Sequence, residues 1–193
     1  MDIKVILIGA ALYYIFHSYI DSSVQKIGHS FYTLREKDQK TNQKIYDISH
    51  KYLPDLSHLH WVSDIYTFSC LIPLVATGNI NIIGEYISYF ILIMIIRDIT
   101  TLSTILPKHK SCDLDKRPAI STFVGGCYDK MFSGHTSSVF LASLVYYKHG
   151  IITSIPILVG MNLVNILFIL LGRGHYTIDV LLAPFIVLAL YRL

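Results

Sequence analysis

The chain has 193 residues, 53% of them hydrophobic and 15% charged, with a formal net charge of +3. A soluble domain usually carries about 25% charged residues, so the composition excludes an ordinary soluble globule, and a net +3 in a few clusters gives no case for nucleic acid. The charges gather in 21–64 and 108–130 and are scarce elsewhere, the pattern of a polytopic membrane protein.

About 20 apolar residues cross a bilayer core as a helix. In chain order the sequence predicts six spans, at 3–20, 60–77, 80–106, 131–147, 151–171 and 175–193. The first begins with Lys4, has no small-x-small pattern before Asp21, and reads as an anchor rather than a cleaved signal. The second is interrupted by Asp64 and Pro73. The expected fold class is therefore all-α: one six-span membrane domain over 1–193, with no internal repeat. Cys70 falls in a span and reads as a packing residue. Cys112 and Cys127 share the 108–130 loop, where they pair if it faces an oxidising compartment and stay thiols otherwise.

An ionisable residue inside a bilayer is expensive and marks a functional candidate. Ser133 and Gly134 are good helix-starting residues, so His135 falls in a first helical turn. Backbone N–H groups there are unpaired and suit an anion. His175 and Asp179 are four apart and share a helix face. A carboxylate behind an imidazole fixes its tautomer and leaves the outer nitrogen as nucleophile or base. Arg173 stands two residues earlier, and Lys110 and Arg117 lie in the preceding loop, all able to hold a phosphate. Arg97 and Asp98 read as a local ion pair or an interfacial arginine. His58 and His60 are too weak a pattern for a metal, so no metal or cofactor is expected.

Lys110-x6-Arg117-Pro118, Ser133-Gly134-His135 and His175-x3-Asp179 resemble, in order, the three signatures of the type 2 phosphatidic acid phosphatase superfamily. One departure is Ile169, where the phosphatases usually carry the serine of a Ser-Arg pair. A narrower resemblance is to the sphingomyelin synthases. Its motifs run from about 50 to 180: Leu53-Pro54-Asp55; Arg97, Thr100, Thr104, Leu106 and Pro107; Cys127, Asp129 and Ser133 to Thr136; and His175-Tyr176-Thr177 with Asp179 and Val180.

The resemblance implies a six-span lipid phosphotransferase. His175, oriented by Asp179, would attack a phospholipid phosphorus to give a phosphohistidine. His135 would serve the leaving and entering alcohols as acid and base. Lys110, Arg117, Arg173, Ser133 and Gly134 would hold phosphate, with Arg97 and Asp129 in support. The implied partners are a phospholipid donor and a lipid-alcohol acceptor, ceramide or diacylglycerol, in the membrane. Two alternatives stand beside it: a lipid phosphate phosphatase using water as acceptor, and a non-catalytic lipid-binding membrane protein. The resemblance also implies a lumenal or exoplasmic site. Most lysines and arginines lie on the catalytic side, against Lys4, Lys148 and Arg192 on the other, and the positive-inside rule points the opposite way.

Overall fold

A computed structural model describes residues 3–37, 45–108, 112 and 126–191. All regular structure among them is helical: α1 (Ile3–Lys37), α2 (Ile48–Tyr52), a 3-10 turn (Ser57–Leu59), α3 (Trp61–Cys70), α4 (Ile72–Ala76), α5 (Ile80–Ser103), α6 (Gly134–Lys148), α7 (Ile155–Leu171) and α8 (Thr177–Leu190).

Five apolar helical segments fall in the expected order among the described residues, and α6 (Gly134–Lys148) is not one of them, so six full-length spans do not form. Among the described residues, only Lys4–Tyr32 and Ile80–Ser103 are long and apolar enough to cross a membrane, while Trp61–Ala76, Ile155–Leu171 and Thr177–Leu190 are apolar but shorter. Helix caps account for the difference. Ser133, Ser154 and Tyr176 adopt extended backbone and start α6, α7 and α8, so apolar residues counted into the windows at 131–133, 151–154 and 175–176 lie in turns instead. These helices are compatible with membrane association, and the outward faces of α1, α7 and α8 remain apolar, with Leu12, Ile15, Leu163, Phe185 and Leu188 exposed.

Helix α6 is the hub, packing on α3, α5, α7 and α8. Leu141, Ala142, Val145 and Tyr146 of α6 meet Leu74, Tyr86, Ile93, Leu158, Ala183 and Val187 in the main core. The serines of α6 carry interhelical hydrogen bonds: Ser138 Oγ lies 2.7 Å from Tyr86 Oη, and Asn162 Nδ2 donates to Ser143 Oγ at 2.7 Å. Small and polar residues let helices approach closely where apolar surface gives no contrast with lipid.

The second apolar segment breaks at Leu71, ahead of Pro73. Proline has no N–H and its ring crowds the carbonyl four residues back, here that of Ser69. The Tyr146 hydroxyl fills the opened turn. It donates to Cys70 O at 2.6 Å and accepts from the Leu74 N–H at 3.2 Å, the two groups that a continuous helix would have joined directly.

Candidate active site

Ser133 caps α6. Its Oγ accepts the Thr136 N–H at 3.2 Å, and its own N–H donates to Asp179 O at 3.0 Å. That backbone bond joins the starts of α6 and α8, so the segments carrying His135 and His175 meet at one end of the bundle. Ser133 is fully buried and its hydroxyl is spent on the cap. A Cβ on Gly134 would meet Arg97 Nε and Met94 Sδ at 3.5 Å, ordinary contact, so packing alone does not demand glycine there.

His135 Nε2 lies 2.8 Å from Asp64 Oδ1, and both side chains are about one-fifth exposed, at 19% and 24%. Asp64 comes from the first turn of α3. One turn on, Thr67 donates to Asn165 Oδ1 at 3.1 Å, and Asn165 Nδ2 reaches His135 O at 3.3 Å. Helix α3 thus braces His135 at its ring and, through α7, at its backbone. The sequence offered Asp64 only as an interruption; its one signal was a lone charge in an apolar stretch.

His175 lies in the turn between α7 and α8, outside both helices. Its Nδ1 is 3.2 Å from Lys130 O and 3.7 Å from Asp179 Oδ2. The carbonyl is therefore the nearer acceptor and Asp179 a close charge behind it. A proton on Nδ1 satisfies this arrangement and leaves Nε2 with its lone pair. Burial pushes the His175 imidazolium down and outweighs the opposing pull of Asp179, which favours the neutral ring that a nucleophile needs. Asp179 is wholly buried; its Oδ2 accepts the Tyr176 N–H at 3.1 Å, and its Oδ1 has no hydrogen-bond partner.

Arg173 has φ 58°, a left-handed conformation unusual for a non-glycine residue. The turn directs Nη2 to Leu53 O at 2.6 Å and leaves Nη1 buried with no hydrogen-bond partner. Lys130, unmarked by any motif, is also buried, and its Nζ donates to Gly174 O. Lys110 and Arg117 lie outside the described residues.

Arg97 and Asp98 do not pair with each other. Arg97 Nη1 meets Asp129 Oδ2 at 2.6 Å, and Nε and Nη2 donate to Phe132 O and Asp129 O at 3.0 and 3.3 Å. Asp98 Oδ1 instead faces His17 Nδ1 of α1 at 2.8 Å. Neighbours on a helix point about 100° apart, so each finds its own partner. Burial raises the Asp129 carboxyl, but Arg97 outweighs it and holds it low. Arg97 thereby pins the segment 129–132 that carries the Lys130 carbonyl to His175. Gln25 of α1 accepts the Cys127 and Tyr128 N–H groups at 3.0 and 3.3 Å, and Cys112 and Cys127 are joined by a disulfide.

The 47–60 segment closes the site. Leu53 O holds Arg173, and the Leu56 N–H donates to Leu171 O at 3.0 Å. Asp47 takes the Thr177 N–H at 2.7 Å and its hydroxyl at 2.9 Å, capping α8 from outside. A Cβ on Gly172 would stand 3.2 Å from His60 Cα, so this glycine lets the segment approach. His60 Nδ1 is bonded to Ser57 O at 3.1 Å, and no cluster of three metal-ligating side chains occurs among the described residues.

Residues 126–193, from the disulfide segment through α6, α7 and α8, match the family model described as PAP2 superfamily C-terminal. The match supports the type 2 phosphatidic acid phosphatase superfamily. Members of that superfamily are generally phosphatases and phosphotransferases, so the match suggests activity of that type. A comparison with curated proteins finds no significant match.

Proposed function

We propose that the protein is a sphingomyelin synthase-like phosphotransferase. It moves a phospholipid head-group phosphate to a lipid alcohol such as ceramide through a phosphohistidine. The observation that carries this reading is the pair of imidazole–carboxylate couples, His135 with Asp64 and His175 with Asp179, at the joined starts of α6 and α8. In the first half, His175 Nε2 bonds to phosphorus as the bond to the diacylglycerol oxygen breaks, and His135 gives that oxygen its proton. In the second, His135 takes the proton of the acceptor hydroxyl, whose oxygen displaces His175 from phosphorus. Charge on the phosphoryl oxygens is met by Arg173 and Lys130, and on this reading by Lys110 and Arg117. Neither step calls for a metal.

The phosphatase alternative keeps one observation in its favour, the Lys110-x6-Arg117-Pro118 spacing. The Cys112–Cys127 disulfide supports a site on the lumenal or exoplasmic side of a multi-pass chain, since disulfides persist in oxidising compartments. The test is to incubate the purified chain in detergent with fluorescent ceramide, diacylglycerol and mixed phospholipids. The expected product is a new phospholipid, absent with His175→Ala or His135→Ala. Dominant release of a water-soluble head-group phosphate would place the protein with the phosphatases. Normal turnover in either variant would remove the covalent scheme.

A further inference from the structure

His50 of α2 brings its Nε2 to 3.0 Å from the backbone carbonyl of His175. We propose that His50 is a positioning residue for His175, holding the turn 173–177 from which the nucleophile projects, an inference that rests on the function proposed above.

The turn lies between the end of α7 and the start of α8, so no helix fixes His175. Arg173 within it has the left-handed φ of 58°, a conformation that persists only where the surroundings impose it. Alternate residues of the turn face α2 and its flanks. Arg173 Nη2 donates to Leu53 O at 2.6 Å, His175 O accepts from His50, and Thr177 gives its N–H to Asp47 at 2.7 Å. From the other side Lys130 Nζ donates to Gly174 O, and Lys130 O lies 3.2 Å from His175 Nδ1. His175 is thus gripped at its ring by one segment and at its backbone by another. The ring contact alone leaves the backbone free to rotate about it, whereas the two together fix where Nε2 points. A carbonyl only accepts, so His50 Nε2 carries a proton. Two contacts aim that N–H. Asp47 caps α2 by accepting the His50 backbone N–H at 3.0 Å, and the His50 ring lies against that of Tyr176, with centroids 5.2 Å apart. Tyr176 is itself held, its hydroxyl donating to Pro107 O at 3.0 Å. Any ring at position 50 would satisfy the packing on Tyr176; only a donor at the place of Nε2 satisfies the His175 carbonyl.

Three variants separate the hydrogen bond from the ring. His50→Phe keeps the ring against Tyr176 and loses the donor. His50→Gln places an amide N–H near the position of Nε2, and His50→Asn places one near Nδ1, short of the carbonyl. A small misplacement of a reacting group costs up to about 10²-fold, so kcat should fall by roughly 10–100-fold in His50→Phe and His50→Asn and stay within about threefold of the parent in His50→Gln. KM for donor and acceptor should stay within about twofold throughout. Parental kcat in both His50→Phe and His50→Asn, a change confined to KM, or a His50→Gln chain as slow as His50→Asn would overturn the proposal. The contrast of His50→Gln with His50→Asn carries the decision where His50→Phe does not fold. A second arm needs no turnover. Amide exchange over 172–178, read by mass spectrometry in detergent without substrate, should quicken at least about fivefold in His50→Asn, with α6 unchanged, and return to the parental rate in His50→Gln. Unchanged exchange in His50→Asn rejects the clamp. A parent chain that transfers nothing, but whose turn is loosened by His50→Asn and not by His50→Gln, keeps this proposal and loses the enzymatic one.

Discussion

Replacing Tyr146 by phenylalanine removes one oxygen from a fully buried ring, and the structure sets what that oxygen is worth. It serves two backbone groups, the Cys70 carbonyl at 2.6 Å and the Leu74 N–H at 3.2 Å. A buried polar group left unpaired costs about 1–3 kcal/mol. Partial relaxation of the turn brings the pair to an expected total of about 2–4 kcal/mol. For a chain of this size each kcal/mol moves Tm by about 2–4 °C, so Tm should fall by roughly 4–15 °C. Thermal unfolding in detergent, followed by the fluorescence of Trp61, reads the shift. Because α3 carries Asp64 and ends at this break, kcat should fall as well. Pro73→Ala in the Tyr146→Phe background should recover much of the loss, since the helix can then close Leu74 onto Cys70. A Tm shift below about 2 °C, or no recovery from alanine at 73, would refute the account of the break.

Asp64→Asn should lower kcat by roughly 10²–10⁴, the usual range for general acid–base catalysis, with donor KM little changed and partial activity in Asp64→Glu; an effect confined to KM in steady-state assays would count against the couple. Burial raises the Asp47 carboxyl, but hydrogen bonds from Ser49, the His50 N–H and Thr177 outweigh it and bring it to about 2. Its stabilising contribution is therefore complete above the unfolded value of about 3.9 and is lost as pH falls from there through about 2. Asp47→Asn should flatten the stability profile in that window, and an unchanged acid limb would reject the clasp. Cys112→Ser opens a bridge between cysteines 15 residues apart, for which about 3 kcal/mol is expected; an identical Tm with and without reductant in the parent chain would contradict it.

What the sequence made legible was local. Ser133 and Gly134 announce a helix start, and Ser133 is the cap of α6. The four-residue spacing of His175 and Asp179 announces a close pair, and they lie 3.7 Å apart, but not on one helix face: α8 starts at Thr177 and leaves His175 in the turn before it. What it hid was long-range. Asp64 and His135 are 71 residues apart, and the sequence showed one as a lone charge in an apolar stretch and the other as a helix-start histidine, with nothing to pair them. Arg97 and Asp98 looked like a self-contained pair because adjacency is visible in a sequence and side-chain direction is not. Lys130 carried no motif, and one of its contacts, the carbonyl that meets His175, is a backbone group that no residue type advertises. The lengths of the helices were misread for a related reason: hydropathy does not distinguish an apolar turn from an apolar helix, and only the caps do.

Helix α1 has the outward look of a detachable membrane anchor, yet its inner face is sewn into the machinery. His17 holds Asp98, beside the arginine that pins Asp129, and Gln25 holds the backbone of Cys127 and Tyr128. Addressing and chemistry are therefore not separable modules in this chain. A protein engineer who exchanged the first 30 residues for another apolar helix would lose the His17 and Gln25 contacts and with them the alignment of a segment carried by a distant part of the chain. Substitutions at His17 or Gln25 would read as catalytic lesions in a genetic screen, although neither residue belongs to the imidazole–carboxylate couples.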